Sequence, residues 1–524
     1  MKHTFAKPLL FLLLPLAAGC TDWLDIRPES EVVLEDYWQN ETQANQVVAA
    51  CYRSFTEANN IRRMIVWGEV RSDNIIQGRG TDNNVAKILD VDINASNPYC
   101  GWASIYTTIN YCNNFLHFAP GVVDTDKNFT IGKLRSLEAE ILTLRALAYF
   151  YLVRAFGEVP LVLEPSIDDT QEYNLPKSPE REILDQIIAD LKDAAGYART
   201  SYDKTDYPKA RITQNAVRAL LADIYLWDQR YELCIAECDR ILNDESLKLI
   251  DAQNMYRKVF YESSASETIF EFAFNDDEIR NDAVRSFYGY SGNIEGQLSF
   301  PVFLVDGQRS PFEYLAPGGG MESENDIRLK DFINISNAMA SGYYYIFKYA
   351  GTQRVENQTG QSNYFYTNFS PSWIVYRLPD VILMKAEALV QLNRNESDLR
   401  EALHLVNTTY LRANPDLVND SLRFENYSGQ IQMEELVLRE RQRELMFEGK
   451  RWFDLMRLAK REDSPERLLS YVMPKFSGDQ ALQYSKMSVM DALYFPILQA
   501  EIDANPALVQ NPFYELTGTG SSAN

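Results

Sequence analysis

The sequence predicts a mainly α-helical protein, with pairs of helices joined by short turns forming one half and a loop-rich region with a few short strands forming the other. Three observations carry this expectation. Long segments repeat apolar residues at helical spacing, and they come in pairs separated by only a few residues. The stretch from roughly 245 to 373 abandons that spacing for aromatic-rich runs among Gly/Pro loops such as Ala316-Pro317-Gly318-Gly319-Gly320.

Taken in order, the chain opens with Lys2 and Lys7 around an apolar run, Pro8 to Ala17. That run is too short to span a membrane, which needs roughly 20 residues. It leads through Leu16-Ala17-Ala18-Gly19 into Cys20, an arrangement that resembles a bacterial lipobox. The resemblance implies a signal peptide over residues 1–19 and lipid on Cys20, and two or more acyl chains give stable membrane attachment. Glu138 to Phe156 reads as a long helix stopped by Gly157 and Pro160. Arg211 to Trp227, the turn Asp228-Gln229-Arg230 and Tyr231 to Leu242 form a helical hairpin with small residues where helices would cross. Val381 to Leu392 and Glu401 to Leu411 form another. These hairpins are similar to tetratricopeptide (TPR) units with a degenerate signature. Between them, Ile269 to Phe274 and Gly342 to Tyr349 read as strands.

Leu438, Leu445, Trp452 and Met456 then draw an apolar stripe along a further helix, with Arg441–Glu444, Glu448–Arg451 and Asp454–Arg457 spaced to pair along its surface. Gly449 interrupts it, marking either a close helix approach or a joint between two shorter helices. The tail carries Asn505-Pro506 and Asn511-Pro512, which predict an irregular strap over residues 461–524. TPR-like helices are thus expected over roughly 30–245 and 374–460, the loop-rich region over 245–373, and one compact body from 20 to 524 because no Gly/Ser or Pro-rich linker divides it.

Composition narrows the function. The formal net charge is −23, and becomes −25 without Lys2 and Lys7, which excludes nucleic-acid binding by a diffuse basic field. Only three histidines are present, and His117 and His404 sit in helical contexts. H-E-x-x-H, CxxC, Walker A and G-x-S-x-G motifs are all missing, so neither a catalytic triad nor a metal or cofactor is indicated. Asp124, Asp126 and Asn128 imitate a calcium loop, but Phe129 and Arg135 occupy the positions of its glycine and glutamate. Paired carboxylates could hydrolyse glycosides, yet Glu440, Glu444 and Glu448 have arginine neighbours that should depress their acidities. Cys234 and Cys238 read as small buried residues, and Cys100 and Cys112 could bridge in an oxidising compartment.

Binding is the stronger expectation. Sugar rings stack on aromatic faces while their hydroxyls need amide, carboxylate and guanidinium partners. Two regions supply both: Arg71, Asp73 and Asn74 followed by Tyr99 and Trp102, and Phe287 to Tyr290 (including Tyr288) with Asn293 and Trp373.

The run from Glu440 to Arg457, E-R-x-x-E-L-x-x-E-G-x-R-W-x-D-L-x-R, resembles the C-terminal signature of the SusD/RagB family of surface lipoproteins. Phe495 to Tyr514 is similar to that family's closing segment, with Leu498 and Phe513 standing where proline and glycine are common. Arg145 to Pro160, Asp326 to Arg328 and Tyr345 to Tyr349 extend the resemblance over nearly the whole mature chain. It implies a SusD-like α-α superhelix, anchored in the outer membrane and exposed at the cell surface. Such a protein captures an oligosaccharide or other nutrient and passes it to a SusC-like TonB-dependent transporter. The competing expectations are a glycan-degrading lipoprotein and a TPR-like assembly subunit without a ligand.

Overall fold

A computed structural model describes residues 37–518, apart from 168–169, 203–207, 418–420 and a series of short stretches between 276 and 369. Cys20 and Asn293 lie outside the described residues. The helical half is built from α1 (Glu41–Phe55), α2 (Ala103–Thr125), α3 (Ile131–Phe156), α4 (Glu180–Tyr197), α5 (Gln214–Trp227), α6 (Tyr231–Leu242), α7 (Leu378–Leu392), α8 (Glu396–Ala413), α9 (Gln430–Leu445) and α10 (Arg451–Glu462). From α1 to α6 each helix packs on the next, and α7 packs on α6 although the 135 residues from 243 to 377 separate them. α7 in turn packs on α8 and α9. This nearest-neighbour stacking is the logic of a helical solenoid, and the fold is mainly α with few short strands, as the sequence predicts.

Local chemistry sets the ends. Thr130 caps α3 by accepting the Lys133 N–H, so the helix starts before Glu138, the first residue of the predicted segment. Gly157, at φ 76°, ends it where the sequence indicated. Nearly every side chain from Leu134 to Phe156 is buried, so α3 is the central helix and turns no face to solvent along that length. Thr213 caps α5 in the same way, moving its start from Arg211 to Gln214.

The excursion between α6 and α7 is tied at its base. Strand Thr268–Phe272 pairs antiparallel with Trp373–Arg377, Trp373 facing Phe272, and the Leu378 N–H donates to the Glu267 carbonyl at 2.7 Å. A four-stranded antiparallel sheet joins Ile76–Gln77, Leu298–Pro301, Tyr343–Ile346 and Ile333–Asn334 in that order. Ile76 faces Ser299, Phe300 faces Tyr344 and Ile333 faces Ile346. The N-terminal region thereby contributes an edge to the loop-rich half.

The tail is more regular than expected. It contains short helices Glu466–Val472, Gln480–Ser485, Gln499–Ala504 and Pro512–Gly518. Pro512 opens the last one, a position where its missing N–H is not needed. Backbone N–H groups of Phe495, Leu498 and Gln499 donate to the carbonyls of Ala155, Cys100 and Ala95, fastening the strap across the N-terminal helices. Among the described residues, no helix is long and apolar enough to cross a membrane.

Candidate functional site

The segment between α9 and α10 is a joint, and both readings of Gly449 hold. Phe447 and Gly449 adopt φ values of 68° and 69°, turning the chain between the two helices. Gly68, in the π-helical turn Val66–Val70, lies so close that a Cβ there would sit 1.8 Å from the Gly449 carbonyl oxygen. Beside it, the Glu69 carboxylate accepts the N–H groups of Phe447 and Gly449 at 3.0 and 3.1 Å and the Asn74 amide at 3.0 Å. Burial outweighs these bonds and pushes the Glu69 pKa up to about 7.

Around the joint lies a layer of buried charge. Arg328, Lys348, Arg377, Arg412 and Arg443 interleave with Glu267, Asp326, Glu440, Glu444 and Glu448. All ten side chains are at most 6% exposed, so the layer holds only because the signs balance. Arg377 is its hub. It donates to both Glu448 oxygens, to Glu267, and to the carboxylate and carbonyl of Glu444, at 2.5 to 3.2 Å. Burial works against the Glu444 carboxylate, but Arg412, Arg377 and Arg328 outweigh it and hold its pKa well below the usual range. For Glu448, Arg377 and Lys348 likewise overcome burial and lower the pKa.

The pairing along one helix surface expected from sequence is largely replaced by pairing between elements. Of the three i,i+3 pairs, Asp454–Arg457 forms at 2.8 Å. Arg441 pairs instead with Asp380 and Asp454, Glu448 with Arg377 and Lys348, and Arg451 with Asp73. The available signal was a lone cation inside an apolar run, as in I-F-K-Y at Lys348 and I-V-Y-R-L at Arg377.

These groups give stability an uneven pH profile. Glu444, Glu448 and Asp454 (about 2) are depressed, so their contribution exists above the ordinary carboxylate range and is lost on acidification. Glu69 and Glu271 are raised to about 7, chiefly by burial, so each favours the folded state below the ordinary glutamate value of 4.5 and loses that contribution as pH rises to about 7. The urea midpoint should therefore peak near pH 5, falling on both sides, and a midpoint that climbs steadily from pH 5 to 7 would contradict this assignment.

The sequence-selected ligand residues are placed as follows. Arg71 is 3% exposed, spends its guanidinium on the Leu493 and Ala492 carbonyls and lies 4.4 Å over the Trp452 ring. Asp73 is clamped by Arg451 at 2.8 and 2.9 Å, and the Asn74 carbonyl oxygen accepts from Gln442 at 2.8 Å. Trp102 is buried edge-on against Phe156 at 5.1 Å. Tyr288 is buried and stacks on Tyr349 at 6.2 Å, while Trp373 is fully buried. Tyr99 is half-buried, its carbonyl accepts the Trp67 indole N–H at 2.8 Å, and burial pushes its phenol up to about 12. Tyr290 opens a two-residue strand, and its side chain lies outside the described residues. The structure thus corrects the loop-mouth reading. Arg71, Asn74, Trp102 and Tyr288 turn no face to solvent, because the polar run after Trp67 is threaded into the core as the partner of α9 and α10.

Asp73 keeps one link to solvent. It lines a cavity of about 200 Å³ with Glu435, Arg439, Gln442, Arg467 and Tyr471. A hollow of about 380 Å³ adjoins Gln77, Asp90, Lys475, Phe476 and Gln483, and a groove of about 540 Å³ runs past Glu466, Met473, Pro474, Gln480 and Tyr484. All three share the strap segment 466–485 as a wall. The Lys475 ammonium donates to the carbonyls of Arg71 and Ser72 at 3.0 and 2.8 Å, and burial pushes its pKa down to about 7. The buried Gln483 side-chain oxygen accepts no hydrogen bond from the described residues. Tyr484 stands 36% exposed, its hydroxyl donating to Glu466. Flat rings beside amides, carboxylates and cations suit a polyhydroxylated ligand. The carboxyls raised to about 7, Glu69 and Glu271, line none of these walls and are held inside by hydrogen bonds. The sequence shows the strap but not its recesses, because its helices are too short to show periodicity; Tyr471, Phe476 and Tyr484 among Ser, Gln and Asp are the visible trace.

The family described as the SusD family matches residues 243–514, and a second, described as starch-binding and associating with the outer membrane, matches residues 22–226. SusD-like protein P38 of Formosa agariphila is 24% identical over 97% of this chain and 98% of its own length. SusD-like protein P2 of the same organism is 26% identical over 87% and 90%. Among solved structures, a SusD superfamily protein from Bacteroides vulgatus superposes with a TM-score of 0.71 at 20% identity, covering 91% of this chain and all of that one. A SusD homolog from Bacteroides thetaiotaomicron gives 0.69 at 22%, covering 91% and 99%. With the matched families spanning both the helical half and the excursion, this chain belongs to the SusD family.

Proposed function

We propose that the protein is a lipid-anchored capture protein of the outer cell surface, tethered through Cys20, that binds a glycan and delivers it to a SusC-like TonB-dependent transporter. SusD-like proteins are generally surface glycan-binding and non-catalytic. The observation that carries the reading here is the set of three recesses along segment 466–485, where the exposed Tyr484 ring, the half-buried Tyr471 and Phe476 rings and polar groups meet on a scaffold locked by buried charge. Of the residues selected from sequence, this reading keeps Asp73, which lines the first cavity. A capture site needs such a preformed surface, because ordering it on binding would subtract from affinity.

Calorimetric titration of residues 21–524 with a panel of oligosaccharides, followed by chromatography of the sugar, tests this. Saturable binding with intact sugar is expected, and Tyr484→Ala and Phe476→Ala should each weaken it by roughly tenfold, a loss of about 1.4 kcal/mol. Shortened sugar in the recovered sample would replace capture by hydrolysis. Binding unaffected by both substitutions would move the site away from the strap.

A further inference from the structure

Helices α1 and α2 run antiparallel, and three contacts fix their register. The Glu41 N–H donates to Asp126 at 3.0 Å, Trp38 meets Phe118 and Phe115 at ring distances of 5.9 and 6.1 Å, and the Ser54 and Thr108 hydroxyls hydrogen-bond at 2.6 Å. One turn along from the last contact, three residues before Ser54 and four after Thr108, the same register places Cys51 opposite Cys112. Both are fully buried, and Cys112 is the neighbour with the largest effect on the Cys51 thiol, whose pKa it raises. A hydroxyl–hydroxyl contact of 2.6 Å one turn away brings the helices close enough for short side chains to touch. Cys100, the bridging partner considered from sequence, turns its thiol to the Asn94 carbonyl at 3.5 Å instead. Cys234 and Cys238 share one helix, where successive turns point side chains the same way and not toward each other.

We propose that Cys51 and Cys112 are a disulfide site stapling α1 to α2. The two thiols give up two protons and two electrons as one S–S bond forms. A protein disulfide of the thiol-oxidoreductase class accepts them, passing through a mixed disulfide and leaving as a dithiol. Because both sulfurs are closed off once the helices pack, the exchange belongs to folding and precedes closure.

The test is independent of where the native chain resides. Residues 21–524 are secreted into the oxidising periplasm of a laboratory host behind a foreign signal, then denatured and alkylated before and after reduction with two distinguishable reagents. Peptide mass spectrometry should show Cys100, Cys234 and Cys238 with the first label, and Cys51 and Cys112 with the second and as a linked peptide pair before reduction. Cys51→Ser should release Cys112 to the first label and lower the melting temperature by several degrees, while Cys100→Ser should leave the linked pair in place. First label on both Cys51 and Cys112 of the unsubstituted chain, or a linked peptide containing Cys100, would overturn the proposal. The labelling pattern is read on denatured chains, so a folding defect in a variant does not obscure it.

Discussion

Replacing Arg377 by methionine should destabilise the protein by about 3–5 kcal/mol, the range for removing one partner from a buried ion pair. The loss comes less from the contacts removed than from what remains. Glu267, Glu444 and Glu448 would stay in a region 0% exposed with only Lys348, Arg412 and Arg328 to balance them. Arg377→Lys should recover little, because an ammonium on a flexible stem cannot reach Glu267, Glu444 and Glu448 together as the guanidinium fork does. Urea denaturation followed by circular dichroism gives the measurement, and the double variant with Glu448→Gln should be less destabilised than the sum of the two singles. A single-variant loss below about 1 kcal/mol, the level of exposed pairs, would mean that water reaches the layer.

Gly68→Ala should cost about 3 kcal/mol, the upper part of the range for overpacking. The obstacle is backbone: the added methyl would meet the Gly449 carbonyl oxygen at 1.8 Å and its carbonyl carbon at 2.5 Å. No rotamer change relieves that contact, so the π-helical turn and the α9–α10 joint must separate. Separation lengthens the bonds from Phe447 and Gly449 to Glu69, leaving a buried carboxyl with the Asn74 amide in place of three donors. Near-UV circular dichroism together with thermal melting distinguishes the outcomes. A native melting temperature would show that the joint yields at little cost, against the present account. Gly121→Ala is the control, since its added methyl meets nothing within 4 Å.

The helical half was legible because local signals and tertiary structure agree there. Tyr231 to Leu242 was read to the residue, and Gly157 stops α3 as its backbone freedom requires. The strand at Thr268–Phe272 overlaps, and that at Tyr343–Ile346 lies within, an aromatic run that favours pleated structure. The candidate site was not legible for a different reason. Whether Asp73 and Asn74 face solvent depends on Gln442 and Arg451, nearly four hundred positions later, and no window along the chain contains both. A polar cluster beside an apolar run reads as a loop mouth locally, yet a distant cluster of opposite charge made it core. The strap itself was expected from its Asn-Pro turns, but its helices were not, because they are six or seven residues long and carry less than two turns of pattern.

The excursion between α6 and α7 has a consequence for how such chains diversify. Its two ends are clasped by the pairing of Thr268–Phe272 with Trp373–Arg377, and α7 docks on α6 as though nothing intervened. Lengthening a chain between fixed ends costs only about 0.6 kcal/mol per doubling. The helical row therefore acts as a chassis with a socket, into which segments of different length and surface chemistry can be exchanged while the mounting stays the same.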